Sequence, residues 1–267
     1  MMHAKSCILA NQCKLANSES CNAHCPHFIA LHGLNAVSGR VATAGVPNDY
    51  RLVNASNSPV RQNQAAVYRA VDKYIATFER QFDTEGERVK SLYLFSESPG
   101  TGKTTTASAL LNEWLIAHYI GSKIRGLQPL QQPAYFLDCN NWQTDYNNFN
   151  RPKVPDAIAE PAAKRYYNAM ERAKTAPLAI IDDIGVRDCT DNFRADLHSI
   201  INRRVTNKMP TIYTSNLPIK YVGKEPKVEA FKPYDLVDVF SEERLADRIL
   251  DMCLTLSFSG ESKRGLR

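Results

Sequence analysis

Leu92-Tyr-Leu-Phe-Ser-Glu-Ser-Pro-Gly-Thr-Gly-Lys-Thr-Thr-Thr106 is the stretch that decides the fold. An apolar run, as of a strand, enters a glycine-containing turn that ends in Gly102-Lys103-Thr104. Such a turn points successive backbone N–H groups inward to cradle phosphates, and a following helix adds its positive end. Lys103 is expected to reach the β- and γ-phosphates and the Thr104 hydroxyl to complete a Mg²⁺ shell. The candidate nucleotide contacts are therefore Ser98, Pro99, Gly100, Thr101, Gly102, Lys103, Thr104 and Thr105. The first glycine of the pattern G-x-x-x-x-G-K-[ST] falls on Glu97. Gly100 and Gly102 stand where the backbone must approach closest, so the loop is expected to survive that change.

Working outward, the pattern alternates between helix and strand. Val67, Ala70, Val71, Tyr74, Ile75 and Phe78 keep helical spacing before the turn. Ala107, Leu110, Leu111, Trp114 and Leu115 make one apolar face after it, on a helix from Gly102 to about Tyr119. Ala134–Asp138, Leu178–Ile181 and Thr211–Ser215 read as further strands, with helices over 157–174 and around Phe193, Leu197, Ile200 and Ile201. Leu254, Leu256 and Phe258 alternate near the end of the chain. Strands alternating with helices behind a phosphate loop mean an α/β fold with a parallel sheet. No internal repeat or low-complexity tract interrupts it.

The 267 residues suit one large domain, or one large and one small. A hydrophobic share of 43% with 23% charged residues is that of a water-soluble globular chain, and no run approaches a membrane span of ~20 apolar residues. With no basic segment leading into an apolar one at the start, export is not expected and the cytoplasm is. The net charge of +5 is compatible with nucleic acid nearby without demanding it.

Two further segments carry chemistry. Leu178-Ala-Ile-Ile-Asp-Asp-Ile-Gly185 ends an apolar strand in paired carboxylates, at the sheet edge where phosphates sit in open α/β folds. Asp182 is the expected Mg²⁺ holder and Asp183 the group that orients and activates the attacking water. Taken alone, Asp-Asp is a common polar turn; behind a phosphate loop it points to phosphoryl chemistry. Pro210-Thr-Ile-Tyr-Thr-Ser-Asn216 closes a neighbouring strand on an amide that could reach the γ-phosphate or the water. A strand-ending Asn by itself is ordinarily a turn residue.

The Asp-Asp strand end, Ile200-Ile-Asn-Arg-Arg-Val-Thr-Asn207 leading to Thr-Ser-Asn, Arg244-Leu-Ala-Asp-Arg-Ile249 and the late Gly260-Glu-Ser-Lys-Arg264 occur together. In this combination the chain resembles the AAA+ ATPases of the DnaC/DnaI helicase-loader group, particularly phage versions, and the related IstB transposition ATPases. The resemblance runs over about residues 46 to 264. It implies an AAA+ P-loop NTPase with a reduced C-terminal lid, using ATP and Mg²⁺. It implies that Asn216 is the sensor-1 residue, Arg248 the arginine finger offered to a neighbouring subunit's ATP, and Arg264 a sensor-2-like arginine. Arg244 is the rival for the finger. Read without the resemblance, these arginines are solvated or ion-paired surface residues.

The first 32 residues hold four cysteines and four histidines. Cys7, Cys13, Cys21 and Cys25 form the first candidate Zn²⁺ ligand set, with His27 or His32 in place of Cys7 as the alternative. A reducing compartment argues against disulfides, and a disordered tail with incidental cysteines is the plain alternative. Cys139, Cys189 and Cys253 are scattered and read as packing residues. Loaders of this kind commonly carry a small N-terminal module that grips the helicase, sometimes with zinc, and IstB proteins are not expected to. The expectation is therefore a zinc-binding helicase-contact module over 1–45, a linker over 46–61 and an AAA+ ATPase domain over 62–267. Its role would be to deliver a hexameric replicative helicase onto single-stranded DNA, with self-assembly through the ATP sites and weak, salt-sensitive DNA contact. Tyr119, Lys123 and Arg125 are the candidates for that contact. The alternatives are a transposition or recombination ATPase acting with a transposase, and a regulatory module that binds ATP but hardly hydrolyses it.

Overall fold

Five parallel-type strands set the frame: β1 (Ser91–Phe95), β2 (Ala134–Asp138), β3 (Leu178–Asp182), β4 (Thr211–Ser215) and β5 (Cys253–Ser257), ordered β2-β3-β4-β1-β5. The computed structural model describes residues 3–185, 189–221 and 234–262. Between and before the strands lie α1 (Pro26–His32), α2 (Gly39–Thr43), α3 (Ala65–Ile75), α4 (Lys103–Ile124), α5 (Cys139–Asn150), α6 (Asp156–Thr175), α7 (Asp191–Thr206), α8 (Leu236–Phe240) and α9 (Glu243–Met252). β1 pairs in parallel with both β4 and β5, and β3 with β4, placing Leu94 beside Thr214 and Phe95 beside Ser215. β3 and β4 are buried along their whole length, the reason that 178–181 reads as an unbroken apolar run. At the edge strand β5, Leu256 and the following Phe258 are buried, while Leu254, which the alternation puts on the same face, is half exposed. Among the described residues no helix is long and apolar enough to cross a membrane.

The chain forms two compact units. The first comprises residues 1–89, 104–136 and 176–178. Residues 1–45 have little apolar periodicity, yet Ile8, Leu9, Phe28, Leu31, Val41 and Ala44 are buried in this unit. The polar anchors explain how. The buried Arg40 guanidinium donates to the carbonyls of Ala30, Pro129 and Leu130 at 2.7–3.1 Å, and the Phe136 N–H donates to the Ala44 carbonyl at 2.7 Å. Residues 46–61, read above as a linker, form a packed strap with Val46, Ala55 and Val60 buried. Its Asn54 carboxylamide oxygen accepts from the N–H groups of Ser56 and Asn57 at 2.9 and 3.0 Å, the Asx-type turn that Asn-Ser-Asn composition favours. Asn112 of α4 then donates to the Tyr50 and Val53 carbonyls.

The second unit holds residues 90–103, 137–175 and 179–267, of which the described part is built around α5, α6 and α7 against the strands. Helix α5 has an Asn-rich sequence with poor intrinsic propensity, and the sequence pattern does not announce it. Asp138 caps it by accepting from the Asn141 N–H, and Trp142 and Tyr146, one turn apart, supply its buried face. Trp142 stacks on Tyr166 of α6 at 4.8 Å and 6° and lies 4.7 Å from Phe193 of α7. Aromatic pairs of this kind add ~1 kcal/mol each beyond their area burial. Arg204, wholly buried, ties the end of α6 to the start of β4 by donating to Ala173 O, Pro210 O and Thr211 Oγ1 at 2.7–2.8 Å. Burial lowers its pKa to about 10, so it stays charged at neutral pH.

Candidate functional site

At the C-terminal ends of β1, β3 and β4 the second unit gathers the predicted phosphoryl-transfer groups. The loop after β1 turns through Gly100 at φ +73° and Gly102 at φ +104°, left-handed geometry that only glycine adopts without strain. Glu97 in place of the consensus first glycine is exposed and leaves this turn intact. Lys103 is 5% exposed, and its Nζ lies 3.3 Å from Ser98 O and 3.5 Å from Ser96 O, so the ammonium stays over the loop. Thr104 and Thr105 follow in the first turn of α4, while Ser98 and Pro99 are exposed on the loop and Thr101 is buried.

Asp182 ends β3, 6% exposed, and its Oδ1 accepts from the Thr214 hydroxyl at 2.7 Å. Asp183 follows at φ +56°, its N–H donating to the same Thr214 oxygen at 2.9 Å and its Oδ2 accepting from Asn140 Nδ2 at 3.4 Å. Asn216, one residue beyond β4, donates its amide to Ser96 O and Glu97 O at 3.0 and 3.2 Å and so grips the entry to the phosphate loop. Lys103, Asp182, Asp183 and Asn216 thus belong to one edge of one unit. A buried ammonium over the glycine turn after β1, with two carboxylates at the end of β3 and β4 between the two strands, is a donor set suited to a polyphosphate and a hard divalent cation. Thr214 and Asn140 escaped sequence reasoning. Their only signals were positional: Thr214 stands two residues before the strand-ending Asn, and Asn140 two after the end of β2.

The arginines lie elsewhere in the unit. Arg244 and Arg248 are both exposed on α9, whose Leu245, Ala246 and Ile249 face inward. Arg248 donates to the Asn202 side chain of α7, which fixes its position on the surface. Arg264 lies outside the described residues. The residues proposed for DNA contact do not make a stacking platform. Tyr119 is 5% exposed and its hydroxyl meets His27 Nδ1 at 2.9 Å, while the Arg125 guanidinium lies 4.3 Å from the Phe82 ring and pairs with Glu79. The α4 helical pattern buries Tyr119 because it continues the face of Leu111 and Leu115.

In the first unit Cys7, Cys13, Cys21 and Cys25 line one cavity of about 50 Å³ together with His3 and His27. Burial raises the Cys7 thiol pKa, and the three other cysteines push in the same direction. Among the described residues, however, no three His, Cys, Asp or Glu side chains are arranged to hold a metal ion. His32, offered as a substitute ligand, is engaged structurally: its Nε2 accepts from the Ile8 N–H at 3.1 Å, and burial lowers its pKa to about 4.

Comparison with protein-family models and with curated proteins finds no match. Solved structures do match. The chain is similar to a candidate primosome component of Streptococcus pyogenes serotype M3, at 21% identity over 83% of this chain and 93% of the other, with a TM-score of 0.49. It is similar to DnaI at 17% identity over 82% and 94% of the two chains, TM-score 0.49. The DnaC helicase loader matches at 20% identity over 80% of this chain and 100% of its own, TM-score 0.48.

Proposed function

We propose that this chain is a cytoplasmic AAA+ ATPase that loads a hexameric replicative helicase onto single-stranded DNA. The observation that carries the reading is the edge of the second unit, where Lys103 and Asn216 bond to the loop after β1 and Thr214 of the intervening β4 bonds to Asp182 and Asp183 at the end of β3. Lys103 would bind the β- and γ-phosphates, Asp182 would hold Mg²⁺, Asp183 would take the proton of the attacking water, and Asn216 would position that water. Bound Mg²⁺ supplies positive charge against the phosphoryl oxygens. Arg248, exposed on α9, would serve the ATP of a neighbouring copy, with Arg264 acting as a further phosphate contact.

DNA contact is assigned to the end of the α5–α6 pair. Tyr167 is half exposed beside Phe149 at 6.0 Å; Lys164, three residues before Tyr167 on α6, and Arg151 and Lys153, just after the end of α5, are exposed. An aromatic face within a basic surface suits single strands and weakens with salt. The helicase would be gripped by residues 1–45, which expose Leu15, Leu34 and Val37. One Zn²⁺ per chain on the four thiols would need them drawn closer together than they stand around their shared cavity, and elemental analysis of protein purified without chelator decides it. The test of the whole reading is co-elution with a replicative helicase. The full chain should bind it, Leu34→Ala with Val37→Ala should not, and a transposase co-eluting instead would replace the loader with a transposition ATPase.

A further inference from the structure

The two hydroxyls at the end of β4 are both directed at the turn that follows β3. Thr214 and Ser215 are wholly buried. The Thr214 hydroxyl donates to Asp182 Oδ1 at 2.7 Å while its oxygen accepts from the Asp183 N–H at 2.9 Å. The Thr214 carbonyl accepts from the Ile184 N–H at 2.9 Å, and the Ser215 hydroxyl donates to the Ile184 carbonyl at 2.7 Å. Main-chain pairing alone would align β3 and β4. It would not set the carboxylate of Asp182 or hold Asp183 at φ +56°, in a region that non-glycine residues seldom enter.

We infer that Thr214 is the positioning residue of the carboxylate pair, a single hydroxyl that fixes the rotation of Asp182 and the left-handed turn of Asp183 at once. This rests on the ATPase reading above and adds to it the group that aims the Asp182 carboxylate and holds the backbone of Asp183, whose own carboxylate accepts from Asn140. The role needs one atom that both donates and accepts, on a side chain that cannot swing away. Threonine meets both demands, because its β-branch restricts χ1. Valine has the same shape without the hydroxyl, and serine has the hydroxyl without the restriction.

The experiment compares full-length wild type, Thr214→Val, Thr214→Ser and Asp183→Asn. It reads nucleotide affinity with a fluorescent ATP analogue, Mn²⁺ affinity by electron paramagnetic resonance in the presence of AMPPCP, turnover, and melting temperature. Thr214→Val should keep nucleotide affinity within about 3-fold while losing about 10- to 100-fold in Mn²⁺ affinity and in kcat, the range for groups that orient metal-holding side chains. Thr214→Ser should recover most of both losses. If Asp183→Asn is inactive but Thr214→Val matches wild type in Mn²⁺ affinity and kcat, the positioning role is overturned and the site stands. A Thr214→Val protein that only melts lower, or a folded Thr214→Ser as impaired as the valine variant, overturns it as well. If Asp183→Asn hydrolyses ATP at the wild-type rate, the ATPase reading falls and this inference with it.

Discussion

His118 should make the protein lose stability on mild acidification. Its Nδ1 meets Gln81 Oε1 at 2.8 Å, and its Nε2 accepts from the Leu130 N–H at 3.1 Å, so the ring is neutral with the proton on Nδ1. Protonating Nε2 would set one N–H against another. Burial, and then the Arg40 guanidinium, lower its pKa to about 4. Phe82, stacked on the ring at 5.9 Å, adds no charge to compensate. A folded pKa below the unfolded value means that the unfolded chain binds the proton first. The stabilisation is then complete above about pH 6.5, falls as pH drops through the window down to about 4, and changes no further below it. At about pH 5 the loss works out at about 2 kcal/mol, a substantial part of a typical total of ~5–15 kcal/mol. Two other groups of the first unit titrate differently. Glu113 has its pKa raised, chiefly by burial, and so stabilises slightly on acidification, while the Asp72 carboxyl, lowered by Arg61, loses its contribution only below the ordinary carboxylate range. A site-specific difference separates these terms. Urea unfolding followed by tryptophan fluorescence, on wild type and His118→Gln at about pH 7.5 and pH 5, should show a pH-dependent loss about 2 kcal/mol smaller in the variant. Equal pH dependence in the two proteins would refute the reasoning.

Lys103→Ala should abolish nucleotide binding, whereas Asp183→Asn should bind ATP and turn over at least ~10²-fold more slowly; fluorescent-nucleotide titration and phosphate release measure the pair. Arg248→Ala should leave the affinity of the monomer unchanged and lower the rate of the assembled protein by ~10³-fold. Mixing it with Lys103→Ala should restore part of the rate, since each supplies what the other lacks at a shared interface. Arg204→Met should lower unfolding free energy by about 3 kcal/mol, read as a drop in melting temperature, because the buried Ala173 carbonyl and Thr211 hydroxyl and the half-buried Pro210 carbonyl lose their donor.

The phosphate loop, the paired acids and the strand-ending amide were legible because each is a local signal: a glycine turn, an apolar run ending in carboxylates, a strand ending in Asn. Their meeting at one edge follows from parallel topology, which the alternation of strand and helix already implies. What escaped was set by partners distant in sequence. Thr214 looks like any β-branched strand residue until the register of β3 and β4 puts its hydroxyl between two aspartates. Helix α5 is hidden by its asparagines because its stability comes from Trp142 and Tyr146 packing on residues of α6 and α7. Tyr119, a candidate for DNA contact as an aromatic beside Lys123 and Arg125, is instead engaged by His27, 92 residues away in sequence.

The N-terminal segment is the sharpest case, and it constrains how its role can be tested. Cysteines and histidines without apolar periodicity suggested a stapled module held apart by a linker. In the first unit this segment instead contributes Leu31, Val41 and Ala44 to the buried interior, and Arg40 satisfies three carbonyls, two of them from residues 129 and 130. Removing residues 1–45 would therefore leave those carbonyls without their donor and expose apolar surface around Phe136. A lost partner would then mean only a damaged fold. Leu34 and Val37 offer a cleaner perturbation, since they are 79% and 60% exposed and their truncation takes nothing from the core. If the doubly substituted protein melts as wild type does and still co-elutes with the helicase, the grip lies outside this surface.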